Sequence, residues 1–343
     1  MTKPNSYLPA EWSTQSGIQL TWPDAQTDWE PILDEVVPVY EQIALEILAR
    51  EKLLIVCRHR TLLPSFLQKE DPHLIVREMP INDTWARDHG AIALIENGKP
   101  VLLNFRFNGW AMKFAACHDN QITPGLFIQK TFQEEIELRD FSFFTLEGGA
   151  VESNGAGCLL TTSECLLSKN RNEHLSKNEI ELILKNTFHA KKVLWLDHGF
   201  LSGDDTDSHI DTLARFCSEN TIAYVKCDNT ADLHYEALKK MENQLEQLTD
   251  PDENPFHLVP LPFPDAVYDE NDGHRLPATY ANFLIINGAV LFPVYGVKQD
   301  AEAIGIIEKL FPDREIVPVN SVPLIRQHGS VHCISMQFPE GVL

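Results

Sequence analysis

The sequence lacks a long apolar segment and an apolar amino-terminal signal region. No stretch approaches the roughly 18 continuous apolar residues that a membrane-spanning helix needs. The first residues, Met1-Thr-Lys-Pro-Asn-Ser, contain nothing like the apolar core of a secretory signal peptide. We therefore expect a cytoplasmic protein that does not associate with membranes.

Cysteine is sparse and shows no motif. The chain has seven cysteines, an odd number, and none of them form a CxxC pair. This pattern indicates neither a disulfide framework nor a zinc ribbon. Most of the cysteines are expected to be small buried hydrophobic side chains.

Basic residues are also scarce. Fifty acidic side chains against 28 basic ones give a formal net charge of −22. Such a charge repels a phosphate backbone, so nucleic acid is not an expected partner, whereas a small cationic ligand would be attracted. Most carboxylates are expected to form a solvated surface, and only those next to apolar strands suggest a site. The sequence leaves homo-oligomerisation open.

What the chain does contain is a repeated hairpin. Three Asn-Gly pairs each join two apolar runs of strand length, and Asn-Gly is the strongest short-range hairpin signal because both residues accept positive φ. The predicted strand pairs are Ala91–Glu96 with Val101–Phe107, Gly149–Ser153 with Cys158–Thr162, and Tyr280–Ile286 with Ala289–Tyr295. A fourth predicted pair, Thr212–Cys217 with Thr221–Cys227, turns through Ser218-Glu219-Asn220.

Helical patterns lie between the hairpins, and each is followed by one more short apolar run. The predicted helices are Ile32–Glu51, Lys177–Phe188, Ala231–Leu248 and Ala301–Leu310, and the second opens with a capping box formed by Ser176 and Glu179. The following runs are Leu53–Cys57, Val193–Leu196, His257–Leu261 and Ile316–Val319. The chain is therefore predicted to repeat a ββαβ-like unit about every 60 residues. This even repetition favours one α/β domain over residues 1–343.

Three polar residues recur just upstream of the predicted hairpins. Asp88, Glu147 and His209 each precede a first strand at similar distance, so the three side chains are expected at the same end of successive hairpins. Asp211 and Cys333 stand in comparable polar clusters. A thiol, an imidazole and several carboxylates are the groups expected of a covalent catalyst that binds a cation.

Each cluster also has an ordinary structural interpretation. Asp88 could pair with Arg87, Glu147-Gly-Gly could form a turn, and a lone cysteine such as Cys333 is more often a core residue than a nucleophile.

The acidic run Asp204–Asp207 resembles a hard-cation loop but lacks the glycine and the glutamate of an EF-hand at its sixth and twelfth positions. Its Asp204, Asp205 and Asp207 could be ligands, caps or spectators. Because His209 and Asp211 are two residues apart at a predicted strand start, we expect both side chains on one face, which favours a shared site over a metal loop.

The clusters together resemble a known family. The sequence is similar to agmatine deiminases and bacterial peptidyl-arginine deiminases of the guanidine-modifying superfamily. The matching residues are Pro9-Ala-Glu-Trp12, Leu20-Thr-Trp-Pro23, Trp85-x-Arg87-Asp88, Glu147-Gly-Gly149, Asp205-Thr-Asp-Ser-His209-x-Asp211 and Gly329-x-x-His332-Cys333. The resemblance covers nearly the whole chain and implies a five-bladed, pseudo-symmetric α/β propeller, the pentein fold, with its site on the central axis.

The resemblance also implies roles for five residues. Cys333 matches the nucleophile, His209 the general acid and base, and Glu147 the acid beside the histidine. Asp88 and Asp211 match the carboxylates that grip the planar guanidinium, a cation suited to paired charge-assisted hydrogen bonds. Neither a cofactor nor a metal is implied.

The substrate implied is agmatine, hydrolysed through a covalent Cys thiouronium intermediate to N-carbamoylputrescine, a precursor of putrescine in polyamine biosynthesis, and ammonia. Trp85 is a candidate ring face for the alkyl chain, or a core residue. Gln327-His328-Gly329-Ser330 departs from the run of glycines that many agmatine deiminases have before the nucleophile. Peptidyl-arginine deimination is the alternative, and an amidinotransferase and a non-catalytic arginine-binding protein remain open.

Three nearby carboxylates are expected to raise the pKa of the Cys333 thiol, because they disfavour another negative charge. We therefore expect thiolate formation to depend on binding of the cationic substrate, with His209 as the only resident cation. The other histidines near the clusters are expected to be hydrogen-bonded packing residues. They are His198, His274, His328 and His332.

Overall fold

The computed structural model describes residues 5–343. Residues 1–4, which belong to the segment predicted to lack a signal region, lie outside the described part. None of the helices in residues 5–343 has both the length and the apolar composition that crossing a bilayer requires. The chain has a mixed α/β fold.

The strands of residues 5–343 form five sheets. The first contains β17 (Ser335–Pro339), β2 (Gln15–Thr21), β3 (Lys52–Cys57) and β4 (Leu74–Glu78) in that order. The second contains β1 (Ser6–Tyr7), β5 (Ile92–Glu96), β6 (Lys99–Arg106) and β7 (Glu137–Thr145). The third contains β10 (Lys192–Leu196), β9 (Cys158–Thr162) and β8 (Val151–Ser153). The fourth contains β11 (Ala214–Ser218), β12 (Thr221–Lys226) and β13 (His257–Pro262), and the fifth β14 (Leu284–Ile286), β15 (Ala289–Val294) and β16 (Glu315–Asn320).

All five sheets share one pattern of strand directions. An antiparallel pair is followed by a parallel neighbour, as in β5–β6–β7, β8–β9–β10, β11–β12–β13, β14–β15–β16 and β17–β2–β3. The predicted ββαβ-like unit is therefore confirmed. In the first sheet, β17 from the end of the chain pairs with β2 from its beginning.

Helices connect the parallel strands. The longer ones are α1 (Leu33–Leu48), α4 (Ile122–Ile128), α6 (Lys177–Phe188), α7 (Tyr235–Leu245) and α8 (Asp300–Leu310). Single turns are α2 (Ala86–His89), α3 (Gly109–Met112), α5 (Ser163–Leu166) and α9 (Val322–Ile325). The four predicted helices are thus present, and the capping box at Ser176 and Glu179 forms as predicted.

The helices bury one face against the sheets because their apolar residues recur at helical spacing. In α1, Val36, Tyr40, Ile43 and Ile47 are fully buried, and they belong to the same cluster as Ile18 of β2. This packing leaves the opposite helix face to solvent and fixes the ends of the sheets, where the polar clusters begin.

Several local predictions were wrong, among them the strand start at Tyr280, since β14 begins at Leu284. Ile210–Thr212 is a 3₁₀ turn rather than a strand start, so His209 and Asp211 do not alternate on a pleated surface. Of the three turn asparagines, Asn97 alone has a positive φ, 51°. Asn154 instead accepts hydrogen bonds from the amides of Ala156 and Cys158 through its side chain, which closes a longer loop.

Candidate active site

One polar residue or pair precedes the first strand of the antiparallel pair in each sheet. Asp88 lies in α2 before β5, Glu147 before β8, Cys333 before β17, and His209 and Asp211 before β11. In the fifth sheet the corresponding residue is Asn282, which lies two residues before β14. The sequence did not mark Asn282 as a site residue. The residues are buried, and the contacts below bring them together.

Gly149 lies at the point where three of these side chains meet. Its amide donates to Asp88 Oδ1 at 3.1 Å. A Cβ added at Gly149 would lie 2.6 Å from His209 Nδ1 and 3.0 Å from both Asp88 Oδ1 and Asp211 Oδ2. The glycine after Glu147-Gly is therefore required by space, because any side chain there would enter the cluster.

Of the two aspartates beside Gly149, Asp88 has both oxygens hydrogen-bonded, whereas Asp211 has one oxygen without a partner. Asp88 accepts from Trp110 Nε1 at 2.9 Å as well as from Gly149, and its Oδ1 lies 3.6 Å from His209 Nδ1. Asp211 Oδ2 lies 2.7 Å from His332 Nδ1, whereas its Oδ1 is buried without a partner. An unpaired buried carboxylate oxygen is costly, and a bound cation with N–H donors would satisfy it.

Cys333 faces these groups. Its Sγ lies 4.0 Å from Asp211 Oδ2 and 3.3 Å from Asn282 Oδ1, to which the thiol can donate. The same Asn282 oxygen accepts from the amides of His332 and Cys333. Asn282 therefore fixes the backbone and the thiol of the nucleophile candidate together.

Glu147 is neutralised from outside the predicted site. Its two oxygens accept from Arg171 Nε at 2.9 and 3.1 Å, and both side chains are fully buried. Glu147, Cys165 and His209 present ligand-type atoms within 4.8 Å of one another, but Arg171 already occupies the carboxylate that a metal ion would need. Sequence reasoning missed Arg171 because nothing in its neighbourhood marks it as a site residue.

Burial dominates the ionisation of this cluster. It raises the pKa of Asp88 to about 7, with a further contribution from Glu147, and raises the pKa of Asp211, with a contribution from Asp88. Burial, followed by the charges of Asp211 and Asp88, raises the pKa of Cys333 well above its usual value. The expected increase for Cys333 is thus found, with desolvation as the larger cause.

His209 departs from the expectation. Burial first, and then the positive charges of Arg171 and Lys113, lower its pKa well below the usual value, and both ring nitrogens lack a partner. The imidazole is therefore neutral in the free site, and the resident cation beside Glu147 is Arg171. The prediction that His209 is the only resident cation was wrong.

The three acidic residues before His209 have separate environments. Asp204 caps its own turn by accepting from Thr206 and Ser208. Asp207 pairs with Arg171 and Lys113. Asp205 lines the pocket and approaches the ring of His328.

A pocket opens onto Cys333. Besides Cys333, its lining residues are Asp28, Asp83, Trp85, Asp88, Trp110, Phe114, Asp205, Thr206, Gln327, His328 and Gly329. The lining contains four aspartates and neither lysine nor arginine. Trp85 packs on Trp29 and Trp110, so it is both a core residue and a pocket wall.

Trp110 reaches the pocket through an unusual backbone. Gly109, Trp110, Ala111 and Met112 have φ values of 69°, 52°, 63° and 68°, a complete left-handed turn. This conformation costs roughly 1–2 kcal/mol for each residue that is not glycine. The turn aims the Trp110 indole at Asp88, and Lys113 ties the segment to the carbonyl of Asp205 across the mouth.

The comparisons with known proteins agree with this arrangement. A model of the Porphyromonas-type peptidyl-arginine deiminase family matches residues 7–339. The chain belongs to this family. A curated relative from Selenomonas ruminantium, named "Putative agmatine deiminase", is 32% identical over 97% of this chain and 95% of its own length.

Solved structures of family members are also similar. The "Putative Arginine Deiminase from Porphyromonas gingivalis" is 49% identical, with a TM-score of 0.93 over 98% of this chain and 99% of that chain. A cysteine-to-serine variant of the C. jejuni agmatine deiminase, solved with substrate bound, is 38% identical, with a TM-score of 0.90 over 98% of this chain and 97% of that chain.

Proposed function

We propose that this enzyme hydrolyses the guanidinium group of agmatine to give N-carbamoylputrescine and ammonia. The observation that supports agmatine is the composition of the pocket, whose lining has four aspartates and neither lysine nor arginine. Free arginine would bring a carboxylate among these aspartates, and Lys113 at the mouth already pairs with Asp207. Agmatine instead carries an ammonium at that end, which Coulomb attraction to Asp28, Asp83 and Asp205 would favour.

Asp88 and Asp211 would hold the guanidinium from two sides. Each carboxylate oxygen has two lone pairs, so Asp88 can accept from the substrate while it keeps its bonds from Trp110 and Gly149. Asp211 offers the oxygen that has no partner in the free site. The positive charge between them also lowers the cost of forming a thiolate at Cys333.

The reaction then follows from a neutral histidine and a protonated thiol. On binding of the cation, His209 accepts the Cys333 proton, and the sulfur attacks the guanidinium carbon to give a tetrahedral adduct. His209 returns this proton to the departing nitrogen, so ammonia leaves and a thiouronium remains. Water attacks that carbon while His209 takes its proton. The C–S bond then breaks, His209 returns the proton to sulfur, and the adduct hydroxyl gives its proton to the released ammonia as the ureido carbonyl forms. Glu147, held by Arg171, lies beside the imidazole and would stabilise its protonated form.

The five sheets are consistent with the larger architecture that the sequence implies. We propose that they are the blades of a five-bladed, pseudo-symmetric α/β propeller, a pentein, formed by one domain over residues 1–343. The shared strand pattern and the pairing of β17 with β2 support closure. The cytoplasmic location and the absence of a cofactor or metal stay predictions.

Peptidyl-arginine deimination is the second candidate, favoured by the family match. A ureido-product assay with agmatine, arginine and benzoyl-arginine amide side by side separates the two. Agmatine is expected to give the highest kcat/KM, and turnover of benzoyl-arginine amide alone would overturn the assignment. Ammonia release without an added amine acceptor would exclude an amidinotransferase. Loss of turnover in Cys333→Ser is expected, whereas a pure arginine-binding protein would have no turnover to lose.

A further inference from the structure

His332 lies between two carboxylates that belong to different parts of the chain. Its Nδ1 is 2.7 Å from Asp211 Oδ2, and its Nε2 is 2.8 Å from Glu11 Oε2. All three side chains are buried. The expectation that His332 is a hydrogen-bonded packing residue is confirmed, and because both ring nitrogens meet carboxylates the ring also bridges Asp211 and Glu11.

Behind this histidine lies a chain of buried charges. Glu11 Oε2 also accepts from Arg215 Nη2 at 2.6 Å, and Glu11 Oε1 accepts from the amide of Ile285 at 2.6 Å. Arg215 donates in turn to Glu152, so the arginine holds both carboxylates. Glu11, Glu152 and His332 form a second group with metal-type spacing, but Arg215 already neutralises its carboxylates.

Asp211 depends on this bridge for its orientation. The His332 contact holds Oδ2, which leaves Oδ1 as the oxygen free to accept from a substrate. His332 also precedes Cys333 directly, and Asn282 accepts from the amides of both. One short segment therefore fixes both the nucleophile candidate and the carboxylate beside it.

We propose that His332 is a positioning residue that sets the guanidinium-binding oxygen of Asp211, and that Glu11, on the amino-terminal segment, in turn sets the His332 ring. This inference rests on the proposed function. Neither His332 nor Glu11 lines the pocket that opens onto Cys333, so both would act on the substrate only through Asp211.

Two amide substitutions at position 332 separate the two contacts. In His332→Asn the amide nitrogen falls near the former Nδ1 and can still donate to Asp211. In His332→Gln the amide nitrogen falls near the former Nε2 and can donate to Glu11, which leaves Asp211 Oδ2 without a partner at position 332. A lost hydrogen bond to a charged group is worth roughly 1.5–3 kcal/mol, or about 10–100-fold. We expect His332→Gln to lose about that factor in kcat/KM, and His332→Asn to retain most of it.

The affinity for agmatine in a Cys333→Ala background measures the effect of position 332 on substrate binding alone, because this variant lacks the thiol needed for turnover. His332→Gln in that background should weaken agmatine binding in calorimetry, whereas His332→Asn should not. Equal losses in both variants, with equal melting temperatures, would mean that His332 only fills space and would overturn the proposal.

Glu11 and Glu152 form a matched pair for the outer part of the chain. Both carboxylates contact Arg215, but Glu11 alone contacts His332. Glu11→Gln and Glu152→Gln are both expected to lower the melting temperature, while only Glu11→Gln lowers kcat/KM. Identical kinetic effects would contradict the role of Glu11. Wild-type protein that forms no ureido product from any guanidinium substrate would instead reject the proposed function, whatever these variants do.

Discussion

The hydrogen bond from Trp110 to Asp88 provides a quantitative test of the site. Trp110→Phe removes the Nε1–H donor, 2.9 Å from Asp88 Oδ2, and keeps an aromatic ring against Phe107 and Phe114. A hydrogen bond to a charged acceptor contributes roughly 1.5–3 kcal/mol. If the bond is needed to hold the ionised carboxylate on the substrate, kcat/KM should fall about 10–100-fold.

The pH dependence of kcat/KM should also change in Trp110→Phe, in a direction that the structure predicts. Burial raises the pKa of Asp88 to about 7, and the Trp110 hydrogen bond acts against that increase because it favours the charged form. Only ionised Asp88 grips a cation, so kcat/KM of the wild type should rise with pH through about 7. Loss of the donor raises the pKa of Asp88 further, and this acidic limb should move to higher pH in Trp110→Phe.

The assay is ureido-product formation from agmatine at low substrate concentration, where the profile of kcat/KM reports groups of the free enzyme. Asp83 also has a pKa raised to about 7, chiefly by burial, so the wild-type limb alone does not identify Asp88. A shift of the acidic limb to higher pH in Trp110→Phe identifies Asp88, because Trp110 Nε1 donates to that carboxylate. An unchanged limb together with unchanged kcat/KM would refute the assignment of Asp88 as the gripping carboxylate.

Three further outcomes follow from the same geometry. A cationic haloacetamidine should label Cys333 much faster than neutral iodoacetamide, because burial and the nearby carboxylates raise the pKa of the thiol, and equal rates would contradict this coupling. Gly149→Ala places a Cβ 2.6 Å from His209 Nδ1 and should abolish most activity. The control is Gly305→Ala in α8, whose Cβ would have nothing within 4 Å. It should leave activity intact and stabilise the fold by up to ~1 kcal/mol. Asp205→Asn should raise KM for agmatine by roughly fivefold, which is about 1 kcal/mol, and leave kcat nearly unchanged. Added salt should diminish this effect. An unaltered KM would mean that Asp205 does not interact with the ammonium end of agmatine.

Local sequence signals predicted the repeating framework well. Short apolar runs, Asn-Gly turns and a capping box act over a few residues, so the hairpins and the four predicted helices could be assigned without coordinates. The strand expected at Tyr280 begins only at Leu284, because Ala281 and Phe283 turn their carbonyls to Arg215 instead of to a neighbouring strand.

The site was only partly predictable for a related reason. The five residues assigned by resemblance lie around one cluster, but their partners come from distant segments. Arg171, Asn282 and Trp110 act through contacts 22 to 51 residues away in the chain, and no short pattern marks such contacts. The left-handed turn that carries Trp110 was equally hidden, since three of its four residues are not glycine.

The pairing of β17 with β2 has a consequence for biosynthesis. The sheet begun by residues 15–21 has one edge uncovered until residues 335–339 arrive, and the cysteine that enters the site stands two residues before that last strand. A chain synthesised only as far as residue 332 would therefore carry the four pocket aspartates without the Cys333 thiol. Completion of the candidate site and covering of the open edge would be one docking event.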